Sequence, residues 1–139
     1  MVSTYRRRGR RATMLKLTFL MKRRQGMSFE DFRNYYENRH APLAASLCPN
    51  LVRYTRTYLT GWEPLARSMQ LPEPGFDCIT ECCYDVEGSW EERKADLLPA
   101  DVFRQLAADE ENFLDRRANR LVMTQQEESR PETFLGNAG

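Results

Sequence analysis

Apolar and polar residues follow two different periods along the chain, and these periods predict the order of its elements. Segments with a strand pattern, either alternating or rich in β-branched and aromatic residues, lie at residues 13–22, 51–60, 76–86 and 116–126. Segments with a helical period lie at residues 28–40, 89–98 and 100–115. The predicted order is therefore β-α-β-β-α-β, with the second helical region in two pieces.

This order is the split βαβ pattern of a ferredoxin-like α+β domain with a four-stranded antiparallel sheet. Helices cover only one face of such a sheet, and the other face is normally polar. Here the strands carry apolar residues on both faces. We expect either that a second copy covers the bare face, so that two sheets close into a dimeric α+β barrel, or that a ligand lines it. A second copy and a bound ligand can both cover this face in one dimer.

The first predicted helix carries His40, the single histidine of the chain. Ser28 is a typical N-cap for this helix, and Pro42 is expected to end or bend it, which leaves His40 at its C-terminal end. One interpretation is a histidine that caps the last carbonyls. The other is a functional imidazole, since its unperturbed pKa lies near neutrality.

Aromatic residues are plentiful and predict a flat apolar slot, although packing alone would also account for them. We assign to this slot the side chains Phe19, Phe76 and Tyr84. The long segment 61–75 is rich in proline and glycine, and the part around Trp62 is expected to form a lid.

Charged residues on the strands give a second group of predictions. Asp77 and Glu81 share a strand face, where Glu81 either pairs with an arginine such as Arg53 or Arg56 or takes part in substrate binding. Arg56 is also a candidate to bind a substrate carboxylate. The acidic run at residues 109–111 is interpreted as an exposed helix face.

Composition limits the function classes. With 139 residues the chain forms one domain, and 21 basic against 20 acidic residues give no general attraction to nucleic acid or to anionic membranes. We divide it into a disordered basic tail (1–13), the folded domain (14–126) and a C-terminal tail (127–139). No apolar run suits a membrane span or a secretory signal, so a cytoplasmic protein is expected. The four cysteines lack zinc-site spacing and are interpreted as reduced thiols, and we predict no metal.

Several stretches resemble one known family in order and in spacing. These are LTFLMKRRQGMSFEDFRNYYENRHAPLAASL, VRYTRTYL, FDCITECCYDVEGSW and ADEENFLDRRANRLVMTQQ. Together they resemble the EthD domain of the dimeric α+β barrel superfamily, over about residues 15–125. The resemblance implies a homodimer, and it implies that His40, in the H-A-P motif, points into a pocket between sheet and helices.

Short EthD chains are similar to fungal polyketide-tailoring proteins, which implies a small aromatic or polyketide substrate from secondary metabolism. We hypothesise a cofactor-independent lyase that decarboxylates a β-keto or hydroxyaryl acid, with His40 as the acid and Tyr54 or Tyr36 as oxyanion donor. Alternatives are a polyketide cyclase or dehydratase, a cofactor-free monooxygenase of anthrone-like phenols, and a non-enzymatic dimeric binding module.

Overall fold

The computed structural model describes residues 2–7 and 10–135, with side chains from residue 14 onward. The strands are β1 (Val2–Arg7), β2 (Arg10–Met21), β3 (Leu51–Tyr58), β4 (Cys78–Asp85) and β5 (Arg120–Met123). The helices are α1 (Phe29–Tyr35), α2 (Ala41–Leu47), α3 (Leu65–Ser68), α4 (Trp90–Leu97), α5 (Ala100–Glu110) and α6 (Pro131–Leu135), and a π-helical turn (Tyr36–His40) joins α1 to α2.

The sheet is antiparallel, and its central strands are β2 and β4. β3 pairs with the far edge of β4, whereas β5 pairs with the opposite edge of β2. These four strands and the helices on one face form the predicted ferredoxin-like α+β domain. The predicted strands are confirmed to within a few residues at each end, and segment 61–75, predicted as a loop, contains the short helix α3.

The N-terminal segment differs from its prediction as a disordered tail. β1 pairs with the first half of β2, in a register that joins Val2 to Leu15 and Arg7 to Arg10. The predicted first strand began at residue 13, but β2 begins at Arg10. Because β5 pairs only with residues 17–20 of β2, the preceding part of the same edge is available for hydrogen bonds to β1. Composition alone could not reveal this free edge. At the other end, the predicted C-terminal tail includes α6.

The core lies between the sheet and the helices. Directly paired strand residues place their side chains on the same face, which puts Leu17, Cys82 and Tyr54 together on the helix side. Phe32 of α1 and Phe113, in the turn after α5, are fully buried against this face. Each such side chain contributes about 1.5–3 kcal/mol by its removal from water.

The other face of the sheet, here the outer face, carries a buried polar group. Lys16 is buried and its Nζ lies 2.9 Å from Oε2 of Glu81. The same ammonium donates to Oε1 of Gln126, at 3.1 Å. The hydroxyls of Thr18 and Thr124 are 2.7 Å apart. The segment after β5 therefore lies over part of the outer face and satisfies its polar side chains.

The segment from α1 to α2 is helical throughout, so of the two outcomes expected for Pro42, an end or a bend, the end of the helix after His40 is wrong. Ser28 does cap α1, since its hydroxyl accepts from the Asp31 amide at 3.0 Å. In the π-helical turn the Ala41 amide donates to the Tyr36 carbonyl, five residues back. Pro42 lies in the first turn of α2, where a missing amide hydrogen costs little. His40 is therefore in the middle of a helical segment.

In the described part of the chain, no helix has both the length and the apolar character needed to cross a membrane.

Candidate functional site

A cavity of about 120 Å³ lies between the helix side of the sheet and the helices. Its walls are mostly apolar, with a few polar side chains directed inward. The residues that define it are Leu17, Phe19, Met21, Tyr36, His40, Ala44, Cys48, Leu51, Tyr54, Thr80, Cys82, Tyr84, Trp90, Leu98, Phe103, Leu106, Ala107, Glu110 and Leu121.

His40 borders this cavity and is held by a carboxylate from α5. Its Nδ1 lies 2.8 Å from Oδ2 of Asp109, and only 4% of the histidine is exposed. The imidazole also packs on Phe113, with 4.8 Å between ring centroids, and edge-on against Tyr36. The ring is thus held on three sides. Among the described residues it makes no capping hydrogen bond, and the helical segment continues past it into α2, so it does not act as a helix cap.

Asp109 is held in its ionised form. Its Oδ1 accepts from the Tyr35 hydroxyl at 2.7 Å, and the Asn112 amide donates to that same hydroxyl at 2.9 Å. Burial raises the pKa of Asp109, but the hydrogen bonds from Tyr35 and His40 outweigh it, so its pKa lies below the ordinary value. An ionised carboxylate only accepts hydrogen bonds, so Nδ1 of His40 carries a proton. This leaves Nε2 as the ring atom available for chemistry.

A chain of hydroxyl groups runs along another wall of the cavity. Tyr54 donates to the Tyr36 hydroxyl at 3.0 Å, and the Tyr36 hydroxyl lies 2.7 Å from Oγ1 of Thr80. Thr80 in turn donates to the sulfur of Met21 at 3.5 Å. Since the single hydroxyl hydrogen of Thr80 goes to Met21, Tyr36 donates to Thr80. Burial raises the pKa of both tyrosines, so they are neutral donors at physiological pH.

Glu110 is a second acidic residue beside His40. It borders the cavity, and its Oε2 accepts from Nε of Arg116 at 3.0 Å. Burial raises the pKa of Glu110 above its ordinary value, although His40 and Arg116 partly oppose this. Adjacent residues of α5 therefore carry carboxyl groups whose pKa values are shifted in opposite directions, as often occurs at functional sites.

Arg56 lies on the helix side of the sheet but is already paired. It forms a bidentate ion pair with Glu37, with Nε–Oε2 and Nη2–Oε1 distances of 2.6 and 3.0 Å. The Tyr58 hydroxyl donates to the same carboxylate at 2.5 Å. Hydrogen bonds from Arg56 hold the pKa of Glu37 below its ordinary value. The guanidinium lies 4.8 Å from the ring centre of Tyr54. Arg56 therefore supports that ring and does not border the cavity.

The structure brings together five of the nine predicted site residues. Around the cavity lie His40, Tyr36, Tyr54, Phe19 and Tyr84. The other four, Trp62, Phe76, Glu81 and Arg56, are not among its lining residues.

Glu81 is on the outer face of the sheet, and its partner is Lys16, not Arg53 or Arg56. Asp77 accepts from the backbone amide of Arg23 at 2.8 Å. Neither carboxylate of that predicted pair reaches the cavity.

The interpretation of residues 109–111 as an exposed helix face is wrong for Asp109 and Glu110. Both precede the fully buried Phe113 by four and three residues, which places them on the inward side of this helical segment. This spacing, visible in the sequence as DEENF, could have predicted that Asp109 and Glu110 face inward. His40 and Asp109 are 69 residues apart, so their contact depends on how α5 packs against the π-helical turn.

The cysteines form part of the apolar wall. Cys48 and Cys82 border the cavity, and all four cysteines are buried and unpaired. Burial raises the pKa of Cys82 to about 12, so its thiol is protonated and inert near neutral pH. Within residues 2–7 and 10–135, no group of three or more His, Cys, Asp or Glu side chains is placed to hold a metal ion.

Comparison with known proteins identifies the family. The EthD domain family model matches residues 24–117. A decarboxylase, claH, from Passalora fulva is 30% identical over 122 residues, which cover 82% of this chain and 77% of that protein.

Solved structures agree on the fold. A protein of the ethyl tert-butyl ether D (EthD) family from Bacillus halodurans has a TM-score of 0.58 and 24% identity, covering 82% of this chain and 99% of its own. A dimeric ferredoxin-like protein of unknown function from Thermobifida fusca has a TM-score of 0.54 and 14% identity, covering 81% and 91%. By its family match and by its relative, this chain belongs to the EthD domain family.

Proposed function

We propose that this protein is a lyase that removes CO2 from a β-keto or hydroxyaryl carboxylic acid of the aromatic polyketide type, with no cofactor in the reaction. The observation that carries the proposal is a histidine, held by an ionised aspartate, at the wall of an apolar cavity. The similarity to a decarboxylase from Passalora fulva supports the same reaction class.

The apolar wall would promote loss of CO2. A carboxylate next to Leu17, Phe19 and Cys82 has little solvation in the cavity, and the charge becomes more delocalised as the C–C bond breaks. An environment with few donors for the carboxylate therefore favours the transition state over the bound acid.

His40 would supply the proton. Its Nδ1 hydrogen is held by Asp109, so a protonated ring presents an Nε2 hydrogen that can pass to the carbon that bears the carboxylate, after CO2 has left a β-keto acid or before it leaves a hydroxyaryl acid. The ionised carboxylate stabilises the imidazolium and fixes the plane of the ring. His40 returns to the neutral state as product forms and takes a proton from solvent before the next cycle.

Tyr54 is the better candidate for the oxyanion donor. Tyr36 has no exposed surface, and its hydrogen is used by Thr80. Tyr54 stands at the outer end of the hydroxyl chain, and rotation about its C–O bond would redirect its hydrogen from Tyr36 to a developing enolate or phenolate oxygen. The neutral state of its phenol suits a donor.

The direct test is CO2 release from ortho-hydroxyaryl acids such as 1-hydroxy-2-naphthoate. We expect His40→Gln to lower kcat by about 10²-fold or more, the usual contribution of a general acid. Asn38→Ala, a change at an exposed position of the same π-helical turn, is the matched control and should retain activity. Equal CO2 release by folded His40→Gln and wild type would refute the assignment.

A second candidate reaction is cofactor-free oxygenation of an anthrone-like phenol. It is supported by the same pair, because a neutral His40 whose Nδ1 hydrogen is bound to Asp109 has a free Nε2 lone pair and can act as a base toward a phenol. The phenolate would then reduce O2 itself. Oxygen consumption without CO2 release, in an electrode assay with anthrone, would favour this reaction over decarboxylation.

We also propose that two copies pair through the outer face of the sheet. Its apolar residues include Leu20 and Ile79, which are partly exposed, and Val122, which is 42% exposed. The related protein from Thermobifida fusca is dimeric. Light scattering should give twice the chain mass for wild type, and Val122→Glu should shift it toward the monomer. A monomeric wild-type protein at micromolar concentration would contradict the pairing.

A further inference from the structure

A groove on the outside of the helices lies directly against the cavity. It has a volume of about 480 Å³ and lies between α4 and α5, where it is lined by Ala95, Ala100 and the wall residues described next. Trp90, Leu98 and Phe103 line both the groove and the inner cavity. The two spaces are thus separated by a wall one side chain thick.

Phe103 is the most exposed of the three side chains that form this wall. It is 50% exposed, although it also borders the buried cavity. A half-exposed side chain changes rotamer on the picosecond to nanosecond timescale, whereas the core side chains opposite are held by packing. Rotation of Phe103 would join the groove to the cavity without movement of the backbone.

The rim of the groove carries two cations. Lys94 and Arg104 are the charged residues that line it. The ammonium of Lys94 forms an ion pair with Oε2 of Glu91, at an Nζ–Oε2 distance of 2.9 Å. Arg104 is exposed, and its guanidinium has no hydrogen bond or ion pair to any residue that the structure describes. Arg104 is therefore the cation available to a ligand.

We propose that this groove is the mouth of the site and a binding subsite for the carboxylate of an aromatic acid. Arg104, with Lys94 beside it, binds the carboxylate, while the ring lies on Trp90 and Phe103 before it passes into the cavity. This inference rests on the proposed function for the identity of the acid. It replaces the predicted lid around Trp62, which does not border the cavity.

Charge and shape both favour this occupant. A guanidinium binds a planar carboxylate through two parallel hydrogen bonds, and an aromatic acid joins such a group to a flat apolar ring. Inside the cavity the carboxylate would lose these donors, as the decarboxylation proposed above requires. The subsite would therefore bind the acid while its carboxylate is stabilised by the guanidinium. The acid would then pass into the cavity, whose apolar wall does not stabilise that charge.

The test follows binding and does not depend on turnover. The chain has two tryptophans, so Trp62→Phe leaves Trp90, at the groove, as the single fluorescent reporter. Stopped-flow quenching in this background would be measured with 1-hydroxy-2-naphthoate and with the uncharged 1-naphthol. We expect Arg104→Gln to slow association of the acid about three- to tenfold at low salt and to weaken its salt dependence, with little effect on the naphthol.

Two further variants complete the design. Arg24→Gln removes an exposed arginine far from the groove and should leave association of the acid unchanged. Phe103→Ala thins the wall and should raise both association and dissociation rates for both probes. Equal association rates for Arg104→Gln and Arg24→Gln, or unchanged rates for Phe103→Ala, would overturn the proposal. If charge-dependent association persists but no acid releases CO2, the subsite is supported and the decarboxylase function fails.

Discussion

Replacement of Asp109 by Asn tests whether the carboxylate sets the chemistry of His40. The two side chains differ little in size, but the amide cannot stabilise an imidazolium. It can also donate to Nδ1 through its nitrogen and so place the imidazole proton on the wrong atom. We expect Asp109→Asn to lower kcat for decarboxylation and to leave KM nearly unchanged.

The size of the effect follows from the geometry. The Nδ1–Oδ2 distance of 2.8 Å in a buried setting describes a charged hydrogen bond, which contributes about 1.5–3 kcal/mol. Since about 1.4 kcal/mol corresponds to a factor of ten in rate, the loss corresponds to roughly 10- to 150-fold in kcat.

The assay is CO2 release over a range of pH, with thermal melts to verify folding. In the variant we expect a lower kcat at each pH at which the protein stays folded, because the amide does not hold the ring as the carboxylate does. Asp101→Asn, the same change at an exposed position of α5, is the matched control and should retain the wild-type kcat. A folded Asp109→Asn protein with kcat within twofold of wild type at each pH would refute the reasoning.

Three further predictions concern stability and thiol chemistry. Tyr36→Phe leaves the buried Thr80 hydroxyl without its donor and should cost about 1–3 kcal/mol, a fall of about 3–10 °C in Tm by calorimetry; an unchanged Tm would contradict the hydroxyl chain. Burial raises the pKa of Cys78 to about 11 and of Cys82 to about 12. A disulfide reagent at pH 8 should therefore modify these thiols in urea but not in the folded protein. Rapid labelling of the folded protein would show instead that the thiols are open to solvent. Because burial raises the pKa of Glu110, its protonated form favours the folded state, and this contribution is lost as pH rises from its ordinary value of 4.5 through the raised value. Glu110→Gln should therefore make the free energy of unfolding in urea fall less over that range, and parallel curves would argue against a buried carboxyl.

The fold was largely predictable because its signals are local. Alternation in β4 places Cys78, Thr80 and Cys82 on one face and Glu81 on the other, and the structure has that arrangement. Ser28 likewise caps the helix that it was predicted to cap. Such signals depend on residues a few positions apart.

The site was predicted only in part, because its contacts span the chain. The sequence indicates that His40 is unusual, but its partner Asp109 comes from another helix, and an acidic run is most often exposed. Trp62 shows the opposite error, since an aromatic residue in a long loop suggests a lid, whereas the helical segments that line the cavity are the π-helical turn, α2, α4 and α5. Which element packs over the cavity is a tertiary property.

The π-helical turn has a consequence for how this protein can change in length. Tyr36, His40 and Ala44, which all border the cavity, lie along this segment, and the turn holds one more residue than an α-helical turn of the same height. Deletion of a single residue between positions 36 and 40 would restore an ordinary α-helix and keep α1 and α2 in register, whereas a deletion within α1 or α2 would rotate the rest of the helix by about 100°. The deletion in the turn would therefore displace side chains of the turn itself, His40 among them, while α1 and α2 kept their contacts. A library of single deletions along residues 29–47 should therefore separate folding from activity most sharply at this turn.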